Sequence, residues 1–192
     1  MKEFSKLILS LTMTCAIAAL ALSFVFLVTK EPIAQQRIND KLVAIKSVLP
    51  PYTNDPVADK IILKDDDENF EYYIGKTNGL ITGIALESSG KGYAGDIRIM
   101  VGFTLLGTIS GLEILDNKET PGLGTRVSEE LFKKQFVNKK AETSKLISGG
   151  FAVKKDGGDI DAVTGATISS RGVVDAVNKA LHLFLKHKNR IQ

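Results

Sequence analysis

From Leu7 to Thr29 the chain runs for 23 residues without a charge. As a helix rising about 1.5 Å per residue, this stretch spans roughly 35 Å, enough for a bilayer hydrocarbon core of about 30 Å. A cleaved signal peptide is the competing reading. Its apolar region would be about 7–15 residues long, with small residues just after it. Here Phe24, Val25, Phe26, Leu27 and Val28 follow the small-residue cluster Ala16 to Ala21, so the length favours a retained anchor. Cys15, preceded by Thr12, Met13 and Thr14, lacks the look of a lipoprotein cleavage site and reads as a lipid-facing or helix-packing residue. Lys2 and Lys6 precede the span, but Lys30, Arg37, Lys41 and Lys46 follow it closely, so the positive-inside rule leaves its orientation open.

Residues 1–29 are therefore read as a short tail and anchor, and residues 30–192 as one domain with a connecting helix. Charge excludes one class of function: 25 Lys+Arg against 22 Asp+Glu leave a net +3, spread evenly, which argues against nucleic-acid binding. The single cysteine excludes an intramolecular disulfide framework and multi-cysteine metal sites, and His182 and His187 are spaced wrongly for one helical face. No metal site is expected.

The apolar pattern of the domain predicts an α+β fold with a mainly antiparallel sheet flanked by helices. Pro32 to Val48 reads as a helix with an apolar face of Ile33, Ile38, Leu42, Val43 and Ile45, stopped by Pro50 and Pro51. Phe70–Lys76 and Leu80–Leu86 read as strands joined by the hairpin signal Asn78-Gly79. A glycine-rich loop, Ser88 to Gly95, precedes further strands at Asp96–Phe103 and Thr108–Leu115, making a meander of at least four strands. A helix is expected to open at Ser128 as its cap, with Glu129 and Glu130 at its positive end and Leu131, Phe132 and Phe136 buried. The acidic run Asp65–Glu68 fails the calcium-loop pattern, because Phe70 and Lys76 stand where glycine and a bidentate acid are needed, and reads as a solvated loop.

The chemistry concentrates near the C-terminus. In Asp156-Gly157-Gly158-Asp159-Ile160-Asp161-Ala162-Val163-Thr164-Gly165-Ala166-Thr167-Ile168-Ser169-Ser170 a glycine-containing loop carrying hydroxyl residues runs directly into a helical pattern of Val173, Val174, Val177, Ala180, Leu181, Phe184 and Leu185. Free N–H groups and the helix dipole favour an anion there, above all a phosphate. Gly165 and Ala166 leave room for close backbone approach, and Thr164, Thr167, Ser169 and Ser170 offer hydroxyls for hydrogen bonding or esterification. A plain hydroxyl-rich helix cap would look similar. The four-residue pattern Ser/Thr-Gly-Ala-Ser/Thr arises by chance about once in a hundred chains of this length, and Asp161 and Ser169 around it make chance rarer.

This segment resembles the FMN-binding family that includes the G component of the Rnf electron-transport complex and the C component of the sodium-pumping NADH:quinone reductase. Glu119-Thr120-Pro121-Gly122-Leu123-Gly124 independently resembles that family's loop beside the flavin, and Gly92-Tyr93-Ala94-Gly95 its glycine–aromatic loop. The likeness covers roughly residues 1–188, and the compact chain favours the Rnf branch.

The resemblance implies a covalent FMN, joined through its phosphate to Thr167. Thr164, Gly165, Ala166 and Ser169 would support it, Glu119, Thr120, Gly122, Leu123 and Gly124 would lie beside the ring, and Asp161 would be read by the flavin transferase. It also implies a single-pass protein of the cytoplasmic membrane whose domain is extracytoplasmic, where that transferase works. Its partners would be other subunits of a complex passing electrons between ferredoxin and NAD, coupled to Na+ or H+ movement. No side chain would act as acid or base, since redox chemistry belongs to the cofactor. A stand-alone flavin carrier and a non-redox module holding a phosphate compound are the alternatives.

Overall fold

The structure, a computed structural model, describes residues 2–65, 68–140 and 150–191. The chain divides into two compact units, Met1–Asp40 and Lys41–Gln192. A single helix, α1, runs Lys2–Val48 with Pro32 inside it. It is long and apolar enough to cross a membrane. Within it the hydroxyls of Thr12, Thr14 and Thr29 donate to the carbonyls of Ile8, Ser10 and Val25, each at 2.8 Å, so these polar groups are satisfied inside their own helix. The helix expected to start at Pro32 is thus continuous with the anchor. Of its expected apolar face only Ile45 is buried, alongside Ala44 and Val48, while Ile33, Ile38, Leu42 and Val43 are exposed.

In the second unit five strands, β1 (Ile61–Asp65), β2 (Glu68–Thr77), β3 (Leu80–Lys91), β4 (Asp96–Thr104) and β5 (Ile109–Asp116), form one sheet in chain order, every neighbouring pair antiparallel. Each face of the sheet is covered. Successive side chains of a strand point to opposite faces. Tyr72 and Ile74 accordingly join the larger core with the C-terminal helix, whereas Tyr73 joins a smaller cluster with Ala44, Ile45, Val48 and Leu49. Two buried faces explain why the apolar alternation of β2 is only moderate in the sequence. Asn78 and Gly79, both at positive φ, make the expected two-residue hairpin.

The C-terminal helix α3 (Thr167–Ile191) lies on β3 and β4. Val173, Val177, Ala180, Leu181 and Phe184 are buried as its periodicity requires, whereas Leu185 is exposed. Phe184 stacks on Phe103 at 4.7 Å between ring centres, a pairing worth roughly 0.5–1.5 kcal/mol beyond area burial. The helix approaches β3 closely, since a Cβ on Gly90 would overlap the Gly172 carbonyl oxygen. At its far end the Tyr72 hydroxyl meets His187 Nδ1 at 2.7 Å, and Lys186 pairs with Asp65 at 2.5 Å.

Several expectations are corrected. Ser88–Lys91 is not loop but the end of β3, where register with β4 (Ser88 opposite Ile99, Ser89 opposite Arg98) outweighs weak strand propensity. The short strand β1 adds to the expected meander. It places Asp65 opposite Glu68 in a ladder, with Asp65 largely covered rather than in a solvated loop; Asp66 and Asp67 lie outside the described residues.

Ser128 caps no helix. It ends a 3-10 turn, Gly124–Ser128, and its hydroxyl accepts from Asn117 at 3.0 Å. The following helix α2 (Glu130–Lys133) is one turn long, with Glu129 as its N-cap. Phe132 and Phe136 are buried, but Leu131 is 82% exposed, because so short a helix buries only one narrow edge.

Candidate functional site

The loop entering α3 is built to keep its backbone open. Gly165 sits at φ +80°, a left-handed conformation that favours glycine. The first helical hydrogen bond is made by Ser170 N–H to the Ala166 carbonyl at 3.0 Å, so the N–H groups of Thr167, Ile168 and Ser169 precede the helical ladder. The Ser170 hydroxyl donates to the same carbonyl at 3.0 Å and accepts from Val163 N–H at 3.0 Å, which fixes the loop from beneath. Thr167 is the first residue of α3 and half-buried, whereas Thr164 and Gly165 are exposed.

Ser169 faces inward. Its hydroxyl donates to Oε2 of Glu119, whose residue is only 4% exposed and whose Oε1 accepts from Ala94 N–H at 3.0 Å. A Cβ at Gly92 or Gly124 would collide with this carboxylate, so both glycines make space for it. One buried acid therefore joins three segments the sequence singled out separately: the Gly92–Gly95 loop, the Glu119–Gly124 loop and the start of α3.

The Glu119–Gly124 loop turns on its own bonds. Leu123 and Thr125 N–H both donate to the Thr120 carbonyl, at 3.2 and 3.3 Å, and Gly122 N–H donates to the Thr125 hydroxyl at 3.1 Å. Leu123 is half-exposed, with its Cδ2 3.4 Å from where a Gly165 Cβ would stand. Two expected motifs are thus neighbours in space, with Leu123 and Ile168 exposed and Thr167 half-buried. A groove of about 390 Å³ lies between Arg126, Leu131, Phe132 and the stretch Asp161–Thr164.

Charges around Thr167 come from a turn of which the glycine-containing loop read in the sequence includes only Asp156, at its start, and neither lysine. The 3-10 turn Lys154–Asp156 reaches the segment three times. Lys154 pairs with Asp161 at 2.8 Å, Lys155 Nζ lies 3.3 Å from Thr167 Oγ1, and Asp156 accepts two bonds from Arg171, each 2.7 Å. The Arg171 guanidinium holds the Asp156 carboxyl below its ordinary range. Asp161 is exposed, and its backbone is clasped in both directions by the Gln135 side chain, at 2.7 and 3.1 Å. The signal that could have marked this turn is Lys154-Lys155-Asp156 just before Gly157-Gly158, a charged run ending in a turn.

Residues 92–182, which span these loops, the turn and most of α3, match the FMN-binding domain family. The G component of the ion-translocating oxidoreductase complex of Cereibacter sphaeroides is 36% identical over 177 residues, covering 90% of this chain and 80% of that one. The chain belongs to the family of G components of Rnf-type ion-translocating oxidoreductase complexes. Another member, the G component of the Na(+)-translocating ferredoxin:NAD(+) oxidoreductase complex of Acetobacterium woodii, is 32% identical, with 95% of this chain and 92% of that one covered.

Among solved structures, the C component of the Na(+)-translocating NADH-quinone reductase of Parabacteroides distasonis superposes with a TM-score of 0.51 at 26% identity, over 62% of this chain and 63% of that one. Shewanella oneidensis NqrC superposes with a TM-score of 0.54 at 22% identity, over 69% and 68%, and shares the fold. In this Rnf-type chain the sheet-and-helix unit follows an apolar N-terminal helix in sequence.

Proposed function

We propose that this chain is the flavin-carrying electron-transfer subunit of an Rnf-type membrane complex. It carries FMN joined through its phosphate to Thr167 Oγ1, in a complex that moves electrons between ferredoxin and NAD and couples them to Na+ or H+ translocation. FMN supplies one- and two-electron redox chemistry through its isoalloxazine ring.

The residues present fit such a group. Thr167 offers a half-buried hydroxyl at a helix start, where N–H groups that precede the helical ladder and the dipole favour a phosphate. Gly165 keeps the adjoining backbone bare, and Leu123 and Ile168 offer apolar surface beside it. In this reading Thr164 is an accessory hydroxyl and Ala166 a small packing residue. Ser169 and Glu119 position the site from within, Thr120, Gly122 and Gly124 shape the facing loop, and Asp161 forms part of the transferase signal.

The observation that carries the proposal is the Ser169–Glu119 hydrogen bond, since it brings the two family motifs to one place. The soluble unit lies on the extracytoplasmic side, where the flavin transferase acts and where a covalent bond prevents loss of a cofactor that could not readily be replaced. Other members of the complex are its lasting partners.

The test is flavin fluorescence on a denaturing gel of protein purified from its native host. The expected result is a yellow-fluorescent band that is absent from Thr167→Ala. A flavin band undiminished in that variant overturns the assignment.

A further inference from the structure

We propose that Lys155 is the cation that holds the phosphodiester at Thr167, and that the turn Lys154–Asp156 is a template that fixes the attachment segment around it. The proposal rests on the reading of Thr167 given above.

Three consecutive residues of one turn each meet a different point of the segment 161–171. Lys154 takes Asp161 at its start, Lys155 takes Thr167 in its middle, and Asp156 takes Arg171 one helical turn further on. Because both outer contacts are ion pairs, the turn is held to the segment on either side of Thr167. Its own position is set by backbone. Val153 bridges Ile160 in a parallel pair, Lys154 N–H donates to the Ile160 carbonyl at 2.8 Å, and Val153 and Ile160 are buried in the main core. Upstream, Asn178 of α3 clasps Phe151 through both its N–H and its carbonyl, at 2.8 and 2.9 Å. Lys155 is therefore presented to Thr167 by a braced loop.

The three cations of this region differ in what they face. Arg171 and Lys154 each point two bonds at a carboxylate. Among the described residues no carboxylate forms an ion pair with Lys155, whose contact is the neutral Thr167 hydroxyl. Esterification replaces that hydroxyl by a phosphodiester with one negative charge. Attachment forms the Oγ1–P bond and breaks the P–O bond linking the flavin phosphate to the nucleotide of a flavin dinucleotide donor. The hydroxyl proton leaves to solvent and the nucleotide departs as its monophosphate. A lysine ammonium bonds a phosphate oxygen far better than a neutral hydroxyl, so Lys155 favours the product and the charge that builds toward it. The open N–H groups of the first turn of α3 act on the same phosphate.

The experiment loads the full-length chain with flavin in detergent, using a flavin transferase and a flavin dinucleotide donor, and follows covalent fluorescence over time. Lys155→Gln is expected to slow loading by roughly ten- to hundredfold, the range of a charge-assisted hydrogen bond, while Lys155→Arg stays within about threefold of the parent. Because the pair is exposed, raising the salt should bring the parent rate down toward that of Lys155→Gln. The phosphorus-31 resonance of the loaded protein should also differ between the two. Lys155 is exposed, so thermal melting of the unloaded variants should be unchanged, which separates a phosphate contact from a structural one. Loading of Lys155→Gln at the parent rate, a Lys155→Arg variant as slow as Lys155→Gln, or a slowdown indifferent to salt overturns the proposal. Thr167→Ala, run in parallel, separates the two failures: flavin attached to that variant removes the Thr167 reading itself, whatever Lys155 does.

Discussion

The Ser169 hydroxyl donates to the Glu119 carboxylate across fifty positions of sequence, and both side chains are buried. Each oxygen of that carboxylate is an acceptor, one for Ser169 and one for Ala94 N–H. The backbone N–H cannot reverse its role, but a hydroxyl can.

Ser169→Ala should therefore destabilise the domain by about 1–3 kcal/mol, the cost of a buried acceptor left without its donor. Glu119→Gln should be milder than Glu119→Ala, because its amide oxygen can face Ala94 while Ser169 turns to accept from its NH2. Thermal melting of the detergent-solubilised variants checks the order. Equal losses for Gln and Ala would show that the hydrogen bonds contribute little.

Asn178→Ala should cost a similar amount, about 1–3 kcal/mol, since it leaves both the N–H and the carbonyl of Phe151 without their partner. Amide hydrogen exchange should quicken at Phe151 through Gly158, where the chain depends on that clasp, more than at the sheet. Uniform quickening would indicate a global loss instead.

Stability should fall as pH drops below about 6.5 through His187. Burial pushes its imidazole pKa below the ordinary value, with Asp65 pulling the other way and Arg190, Lys186 and His182 adding to the depression. The unfolded chain then binds the proton first, so the contribution is complete above about 6.5 and is lost as pH falls toward the lower folded value. His187→Gln should flatten the fall in melting temperature that sets in below about pH 6.5.

A second loss belongs to Glu71 at lower pH. A hydrogen bond from Lys60, with others from Tyr73 and Lys41, holds its carboxyl at about 2 against an ordinary 4.5. Its contribution is present above about 4.5 and disappears as pH falls toward about 2. Glu71→Gln should remove the part of the acid transition that lies in this window, as read by far-ultraviolet circular dichroism.

The sequence made legible those features that depend on local pattern. Asn78-Gly79 announced its hairpin because both residues accept positive φ, and the three- and four-residue steps after Ser170 announced α3 because one stripe of that helix is buried. Features decided by distant partners were not legible. Ser88 and Ser89 belong to a strand only because β4 lies alongside, and β1 exists only as the partner of β2. Ser128 ends a 3-10 turn and accepts from Asn117, eleven residues away, while Glu129 stands at the helix start. At the site, the motif residues could be named from their order, but the inward turn of Ser169 and the approach of Lys155 follow from tertiary contacts that no local spacing encodes.

The strand order has a bearing on how the protein is made. Five strands joined only to their sequence neighbours can pair as each emerges during synthesis, without waiting for a remote segment. α3 comes last in the chain yet covers β3 and β4 at the middle of the sheet. A nascent domain therefore keeps its central apolar surface bare until α3 has been made, and the Thr167 hydroxyl reaches its final surroundings only at that moment. Order of synthesis thereby sets order of exposure: a chain cut short before Thr167 lacks α3 altogether, and the bare middle of its sheet is open to a quality-control protease.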